Sequence, residues 1–190
     1  SLNVLKKTKA LLEGHFVLSS GLHSNKYIQC AKLLSLPNQA YKICNALSKK
    51  ILKAFSSIDL ILSPSIGGII IGYEIGRQLN IETIFSERVG GKFKLRRGFS
   101  IKKGAKVLIM EDVITTGKSS LECVKLVKKA KGKLLGFACI IDRSDKKNLL
   151  IKKNKIISQV KISVPVYKKN KLPTFLQKIP ISTPGSRFLK

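Results

Sequence analysis

The first third of the chain carries apolar residues at helical spacing on both sides of a turn-rich segment. Residues 2–12 place four leucines on or near one face before Gly14, which predicts a short amphipathic helix. From about residue 39 to residue 54, apolar side chains again recur at helical spacing and predict a second helix. Between them, residues 16–34 set serine and glycine among short β-prone runs. We expect this segment to form a hairpin-like appendage.

The pattern changes in the middle of the chain. Four short, largely apolar runs appear there, which is typical of strands that are buried on both faces of a parallel sheet. They cover residues 60–62, 81–85, 106–110 and 134–141. Helix-length stretches at about 67–79 and 118–131 lie between them. Strand alternating with helix predicts an α/β fold, with a doubly wound, mostly parallel sheet flanked by helices. In such folds, ligands gather beyond the carboxyl ends of the strands.

The tail of the chain has no clear periodicity from Lys152 onward, and four prolines interrupt it. We expect it to wrap the sheet domain or to complete the appendage. The chain has 190 residues, of which 44% are hydrophobic, and this composition suits one globular domain. The prediction is a single domain over 1–190, with appended elements from about 1–38 and from the tail.

Composition also bears on location. The longest apolar stretch, residues 58–75, contains Asp59, Pro64 and Glu74, so it cannot cross a bilayer as an uninterrupted apolar helix. The first residues lack the apolar core and cleavage site of a signal peptide. A cytoplasmic protein is therefore expected.

The four cysteines are widely spaced without a C-x-x-C pair, which predicts reduced structural thiols rather than a zinc site.

The charge is unusual, because 37 basic residues against 10 acidic residues give a net charge of +27. Such a field attracts nucleic acid or small polyanions. The lysines are spread over nearly every segment, however, and only 6% of the residues are aromatic. A nucleic-acid surface more often concentrates its charge and adds stacking rings. We therefore interpret the charge as a lysine bias on solvated faces and consider a nucleic-acid partner unlikely.

The strongest motif is VLIMEDVITTGKSS, residues 107–120. An apolar strand leads to two carboxylates and then to a loop of Thr, Gly and Ser before a helix. Backbone N–H groups at a helix N-terminus, together with hydroxyl side chains, can surround a phosphate monoester. Glu111 and Asp112 would lie one sugar length away and could accept hydrogen bonds from ribose hydroxyls. The motif predicts a ribose 5-phosphate site; the alternative is an ordinary strand-to-helix turn with an acidic residue.

Two further loops suit a second phosphate site. Residues 63–68, SPSIGG, follow a predicted strand and precede a helix, so their amides can form an anion nest. Residues 85–99, FSERVGGKFKLRRGF, carry cations around Gly90 and Gly91. Alternation places Lys92, Lys94 and Arg96 on one face of an extended ribbon. The segment is either a mobile lid that neutralises the charge of a bound phosphate group or a solvated basic hairpin, and we favour the lid.

Residues 107–120 resemble the phosphoribosyl pyrophosphate signature of the type I phosphoribosyltransferases, and residues 63–68 resemble that family's pyrophosphate loop. The resemblance is closer to the bacterial orotate phosphoribosyltransferase family. It rests on the stretches 14–34, 85–99 and 111–119, the triplet IDR at 141–143 and the TPGSR at 183–187. It implies a type I phosphoribosyltransferase fold, in which the N-terminal appendage is a small hood over the base.

The resemblance also implies residue roles. Lys92, Lys94 and Arg97 are the candidate catalytic cations of the lid. Thr115 and Arg143 are the candidate contacts to orotate, since a guanidinium can hold a carboxylate bidentately; the alternative for Arg143 is a surface salt bridge. The candidate ligands of phosphoribosyl pyrophosphate are Arg88, Glu111, Asp112, Val113, Ile114, Thr115, Thr116, Gly117, Lys118 and Ser119.

The implied reaction joins orotate to phosphoribosyl pyrophosphate and releases pyrophosphate in pyrimidine biosynthesis. Mg²⁺ is the implied cofactor, without direct ligands from protein side chains, and a homodimer is the implied assembly. Two alternatives stay open: a purine-type phosphoribosyltransferase, or a non-catalytic phosphoribosyl pyrophosphate-binding regulator that contacts nucleic acid. The chain also departs from branches of the family that carry lysines where Ser19 and Gly67 stand.

Overall fold

The structure is a computed structural model that describes residues 2–18, 21–145, 147–182 and 184, apart from the side chain of Asn154. The helices in these ranges are α1 Leu2–Lys7, α2 Cys30–Leu34, α3 Pro37–Ala54, α4 Gly67–Leu79, α5 Lys118–Lys129 and α6 Thr174–Gln177. The strands are β1 Leu11–Val17, β2 His23–Ile28, β3 Leu60–Pro64, β4 Thr83–Val89, β5 Lys92–Leu95, β6 Lys106–Ile114, β7 Lys133–Asp142, β8 Ile156–Lys161 and β9 Ile181–Ser182.

A large sheet has the strand order β5-β4-β3-β6-β7-β8. Strands β4, β3, β6, β7 and β8 are parallel, and only β5 runs antiparallel, as the second arm of a hairpin with β4. The chain moves from β3 to one side through α4 and then returns to place β6 on the other side of β3. The direction of winding therefore reverses between β3 and β6, where doubly wound sheets bind ligands. The predicted fold class is confirmed.

Helices cover both faces of this sheet. Along β3, Ile61 packs into a core shared with α3 and α4, whereas its neighbour Leu62 packs into a core shared with α5. Leu108 and Ile109 of β6 divide in the same way. Because successive strand residues point to opposite faces, strands covered on both sides must be apolar at every position. This explains the uninterrupted apolar runs of the sequence.

The N-terminal region forms a second, small sheet with the order β2-β1-β9. The hairpin that was expected in this region is confirmed, but the helix expected over residues 2–12 is wrong in its second half. Helix α1 ends at Lys7, Lys9 adopts a left-handed conformation (φ 56°), and Leu11 begins strand β1 opposite Ile28. Pairing with β2 therefore overrides a local helical pattern that two leucines happened to continue.

The tail contributes to both sheets. Strand β8 adds a sixth strand beside β7, and β9 pairs with β1 through His15 and Phe16. The sequence did not predict β8. Its residues are only half-buried at the edge of the sheet, so the apolar pattern there is weak.

The single-domain division stays a prediction, while Ser19 and most of the TPGSR segment lie outside the described residues. Within the described residues, no helix is long and apolar enough to cross a membrane.

Candidate active site

Two loops meet at the carboxyl ends of the neighbouring strands β3 and β6. The strands are in register from Leu60, opposite Val107, to Leu62, opposite Ile109, so the chain leaves both strands at the same edge. A Cβ built on Gly67 would lie 2.8 Å from Oδ1 of Asp112. Only a glycine can occupy that position without moving the carboxylate. The loop at 63–68 and the motif at 111–119 are therefore in direct contact.

The segment Thr115–Ser119 forms the junction between β6 and α5. Thr115 and Thr116 are exposed, and α5 begins at Lys118 with Gly117 as its N-cap in a left-handed conformation (φ 71°). Gly117 has no side chain to cap this helix, and the backbone of Ser120 is hydrogen-bonded to Glu111. The N–H groups of Lys118 and Ser119 are thus available to an anion, and the positive end of the helix dipole faces the same space. The structure brings the predicted phosphate-binding residues together as one turn.

This turn is braced from outside the motif. The N–H of Leu150 donates to the carbonyl of Thr116 at 2.8 Å, and a Cβ on Gly117 would lie 2.8 Å from Cγ1 of Ile151. Sequence reasoning did not single out these two residues. Leu150 and Ile151 lie more than thirty positions after the turn in a segment without regular secondary structure, so only the fold reveals the contact.

Glu111 and Asp112 lie within β6 rather than after it, because the strand continues to Ile114 and not to residue 110 as expected. The two carboxylates consequently point to opposite faces. Glu111 accepts a hydrogen bond from the Ser120 hydroxyl of α5. Asp112 accepts one from the N–H of Val113 at 2.9 Å and lies against the start of α4. They flank the junction from two sides and do not form one carboxylate pair.

Burial dominates the electrostatics of these carboxylates. Loss of solvent raises the pKa of Glu111 from 4.5 to about 7, although the Ser120 hydrogen bond acts in the opposite direction. Burial likewise raises the pKa of Asp112, partly offset by the Val113 N–H. A carboxylate of this kind gains from any donor that arrives with a ligand. Sugar hydroxyls are such donors.

Arg143 follows strand β7 at the same edge of the sheet. Its N–H donates to the carbonyl of Ile114 at 2.9 Å, which fixes its backbone beside the start of the phosphate turn. Burial lowers the pKa of its guanidinium. The ion pairs found in the described part of the chain do not include Arg143, and the nearby Asp142 and Asp145 accept bonds from backbone N–H groups instead. The side chain is half-buried and suited to an incoming carboxylate.

The expected lid is the β4–β5 hairpin and the turn that follows it. Lys92 and Lys94 are exposed on either side of the buried Phe93, as the alternation predicted, while Arg96 lies just beyond the end of β5. The candidate cations are therefore divided between two places. Lys92 and Lys94 point to solvent on the outer strand, and Arg97 lies at the base of the hairpin.

A pocket of about 530 Å³ lies at this base, between the hairpin and the loop at 63–68. The residues that line it are Ser65, Ile66, Ile69, Phe85, Glu87, Arg88 and Arg97. Glu87 binds Arg97 through Nε at 2.6 Å, and Arg88 binds Glu122 of α5 at 3.2 Å. Neither glutamate was singled out in the sequence. The only signal there was their presence in a chain with few acidic residues.

The small sheet contains a buried histidine pair. Nε2 of His15 lies 2.7 Å from Nδ1 of His23, and Nδ1 of His15 lies 3.0 Å from the carbonyl of Ile179. The carbonyl can only accept, so His15 carries its proton on Nδ1 in the neutral pair and accepts from His23 through Nε2. The histidines thus join β1, β2 and the tail.

Comparison with known proteins identifies the class. The model of the phosphoribosyl transferase domain family matches residues 32–170. The chain is also 45% identical to an orotate phosphoribosyltransferase of Phenylobacterium zucineum, over all of this chain and 96% of that protein. A protein of the same name from Chlorobium phaeobacteroides is 45% identical over 99% of this chain and 95% of its own. The chain belongs to the phosphoribosyl transferase family. Within it, the full-length relationship is to the orotate phosphoribosyltransferases.

Solved structures support the fold. A crystal structure of orotate phosphoribosyltransferase from Aeropyrum pernix superposes with a TM-score of 0.71 at 20% identity, over 84% of this chain and 92% of that one. An adenine phosphoribosyltransferase from Thermoanaerobacter pseudethanolicus superposes with a TM-score of 0.62 at 18% identity, over 72% of this chain and 88% of that one. Enzymes named for different bases share this architecture, so the fold alone does not choose the base.

Proposed function

We propose that this protein transfers the phosphoribosyl group of phosphoribosyl pyrophosphate to orotate, giving orotidine 5′-phosphate and pyrophosphate for pyrimidine biosynthesis. The observation that carries the proposal is the contact between the loop at 63–68 and the turn at 111–119. It brings together the two loops that we assign to phosphate groups, at the point where the sheet reverses its winding. A substrate with a phosphate at one end of a ribose and a diphosphate at the other matches two such loops.

The ribose 5-phosphate is bound by the turn between β6 and α5. Backbone N–H groups from Thr115 to Ser119 and the hydroxyls of Thr116 and Ser119 donate to its oxygens. Asp112 and Glu111 accept hydrogen bonds from the ribose hydroxyls. Val113, Ile114 and Lys118 complete the contact through their backbone positions. Because this turn is built on a buried strand and a helix, it holds the anomeric carbon in one place.

Orotate is held by Arg143 and Thr115. Arg143 pairs with the carboxylate of the base, and Thr115 donates to its ring. The half-buried guanidinium supports this assignment, since it has lost solvent and the ion pairs of the described residues leave it without a carboxylate. Orotate bound there directs its ring nitrogen toward the anomeric carbon. The base attacks that carbon as the bond to pyrophosphate breaks, and no covalent enzyme intermediate is needed.

The leaving pyrophosphate is stabilised by the loop at 63–68 and by the lid cations Lys92, Lys94, Arg88 and Arg97. Mg²⁺ would neutralise part of the diphosphate charge. Among the described residues, no group of three or more His, Cys, Asp or Glu side chains converges in a way that could hold a metal ion. We keep the expectation that Mg²⁺ would be held by the substrate without direct protein side-chain ligands, because substrate phosphates commonly bind this hard cation.

We also propose a homodimer. An apolar stripe runs along α4 from the loop at 63–68, formed by Ile66, Ile70 and Tyr73, which are 84%, 49% and 65% exposed. Apolar surface next to a binding loop is typical of a subunit interface. A second subunit on this stripe would bring another lid near the same site. Tyr73→Glu is expected to give a monomer in size-exclusion chromatography with light scattering.

The cytoplasmic location stays a prediction.

The test of the function is consumption of orotate. Purified protein with phosphoribosyl pyrophosphate and Mg²⁺ is expected to deplete the ultraviolet absorbance of orotate. Arg143→Ala is expected to lower kcat/KM for orotate about 100-fold, because truncating one partner of a buried charge pair costs that much, and to leave phosphoribosyl pyrophosphate binding unchanged. Lys147→Ala is the matched control, since it removes an exposed cation of the same segment.

Two outcomes would replace the proposal. Consumption of adenine or another purine without consumption of orotate would make the protein a purine-type enzyme. Binding of phosphoribosyl pyrophosphate without turnover, together with salt-dependent binding of nucleic acid, would make it a regulator.

A further inference from the structure

Two glutamates hold the three arginines of the lid: Glu87 of strand β4 and Glu122 of helix α5. Glu87 accepts from Arg97 through Nε at 2.6 Å and through Nη2 at 3.4 Å, and Nη1 of Arg96 lies 3.7 Å from it. Arg88, the next residue, points to the other face and binds Glu122 of α5. Neighbouring strand residues diverge in this way because the side-chain period of a strand is two. Arg88 therefore has a different partner from Arg96 and Arg97.

These pairs leave different edges of the guanidinium groups open. Arg88 uses both end nitrogens: Nη1 contacts Glu122 and the carbonyl of Gly91, and Nη2 contacts Glu122. Its plane also stacks on Phe93, 4.1 Å from the ring centroid. Arg97 instead uses Nε and Nη2, so Nη1 and the remaining Nη2 hydrogen are open. Arg97 can therefore bind an anion through its end nitrogens without releasing its glutamate, whereas Arg88 keeps only Nε and one hydrogen of Nη2 open.

We propose that Glu87 is a positioning residue that holds Arg97 at the pocket beside the loop at 63–68, with its open edge directed to the pyrophosphate group. This inference rests on the proposed function. It gives the two arginines that line the pocket different roles, since Arg97, held by Glu87, offers its end nitrogens to the anion, whereas Arg88, besides its charge, fastens the hairpin to α5 through Glu122. Glu87, Arg97 and Arg88 all line the pocket, together with Ser65 and Ile66 of the loop.

The physical reason is the entropy of the long arginine side chain. Arg97 has 63% of its side chain exposed, so without a partner it would sample many rotamers. Binding an anion would then require ordering it, which costs about 0.5–1.5 kcal/mol for a side chain of this type. The Glu87 carboxylate removes that cost before the ligand arrives. It also adds an unfavourable charge near an anion, so positioning and simple electrostatics predict opposite effects of its removal.

The experiment measures the binding of inorganic pyrophosphate with Mg²⁺ by isothermal titration calorimetry. Glu87→Gln is expected to weaken binding about three- to tenfold, the ratio that corresponds to the ordering cost of one arginine. The KM for orotate is expected to stay unchanged, because Arg143 and Thr115 are at a different part of the site. Arg97→Ala is expected to weaken pyrophosphate binding at least as much.

A double variant separates positioning from a general loosening of the hairpin. If Glu87 acts through Arg97, adding Glu87→Gln to Arg97→Ala causes no further loss of pyrophosphate affinity. The matched control is Glu74→Gln, because Glu74 holds Arg77 with the same two-point geometry on α4 at 2.9 Å, outside the pocket. It is expected to leave pyrophosphate binding unchanged. Glu87→Asp, which keeps the charge but shortens the reach, serves if Glu87→Gln does not fold.

Three results would overturn the inference. Tighter binding by Glu87→Gln would make Glu87 a competitor of the ligand, unchanged binding would make it irrelevant, and a further loss in the double variant would assign it to hairpin stability. Each of these requires a wild-type protein that binds pyrophosphate and consumes orotate. A wild-type protein that does neither refutes the proposed function, and the positioning role with it.

Discussion

In the proposed function, the phosphate turn and the lid hairpin bind parts of one substrate, but the two segments are built in different ways. The turn from Thr115 to Ser119 is formed by backbone, at the junction of a buried strand with a helix, and Leu150 and Ile151 brace it. The hairpin offers long side chains whose positions depend on two glutamates. One site is shaped by main-chain geometry and the other by ion pairs between exposed groups.

This difference suits the two halves of the reaction. The ribose phosphate stays attached to the reacting carbon, so its site benefits from a fixed frame. The pyrophosphate must bind and then leave, so its site benefits from side chains that are held weakly. Ion pairs between exposed groups contribute little stability and are screened by salt, whereas a buried backbone turn is not. Each of the following predictions tests a difference between the backbone turn and the lid, whose side chains are held by ion pairs.

The largest effect is expected from Gly117→Val. A β-branched residue is strained at a φ of 71°, and its Cβ would lie 2.8 Å from Ile151. Displacing the turn by about 1 Å is expected to lower kcat/KM about 100-fold. Gly104→Val is the matched control, because Gly104 also has a positive φ of 82° but none of the described atoms lies within 4 Å of a Cβ built there. Steady-state kinetics and thermal melts of Gly117→Val and Gly104→Val compare the two positions. Equal losses of kcat/KM in the two variants would contradict the prediction.

An intermediate effect is expected from pH. The pKa of Glu111 is raised to about 7 by burial, so its carboxylate is half protonated near neutral pH. If the carboxylate accepts from a ribose hydroxyl, affinity for phosphoribosyl pyrophosphate rises about tenfold between pH 6 and pH 8. The ligand phosphate also titrates near pH 6, so the readout is the difference between wild type and Glu111→Gln in calorimetric titrations. Pyrophosphate binding to the arginine lid is expected to lack this protein-derived dependence.

The same group gives a linked effect on stability. The pKa of folded Glu111 lies above the ordinary value of 4.5, so the folded protein binds the proton more tightly than the unfolded chain does. The contribution of this group to the free energy of unfolding therefore falls as pH rises from 4.5 to about 7 and is constant above that. Urea unfolding across this range is expected to show a shallower decline for Glu111→Gln. An unchanged decline would show that Glu111 is not the titrating group.

The smallest effect is expected from the clamp that fastens the lid. Arg88 and Glu122 have 43% and 20% of their side chains exposed, and Glu122 also lies 3.4 Å from the N–H of Phe93. Glu122→Gln is expected to lower the free energy of unfolding by less than about 1 kcal/mol, and by less still at high salt. Urea titrations at two salt concentrations measure this loss in the free energy of unfolding. Glu13→Gln is the control, because its pair with Lys6 is more exposed, and an equal loss there would remove any special role for the clamp.

The sequence was informative where local pattern and chemistry coincide. Helix α4 was predicted with its bounds, Gly67–Leu79, and the strands of the central sheet were found from their apolar runs. The turn at Thr115–Ser119 was also found, because a phosphate turn needs Gly, hydroxyls and a helix start in consecutive positions. Each of these features is encoded within about fifteen residues, so neighbours in the chain are enough to specify it.

The sequence-based predictions were wrong where contacts between distant segments determine the local structure. Leu11 and Leu12 continue a helical pattern but pair with Ile28 and Tyr27 of β2. Strand β8 has a weak apolar pattern and exists because β7 offers it an edge. The opposite directions of Glu111 and Asp112 follow from a strand that extends four residues further than its apolar run, since pairing with β7 continues to Ile114.

The sequence by itself determined the α/β class, the central strands and the phosphate turn, because periodic burial and a compact motif are local properties of the chain. Only the tertiary structure decided which carboxylate holds which arginine, which loops touch and which segment braces the turn. Those contacts join residues far apart in the chain, and their existence depends on side-chain geometry after packing. From the sequence alone, each cation of the lid could pair with several carboxylates. In the folded protein, Glu87 pairs with Arg97 and Glu122 pairs with Arg88.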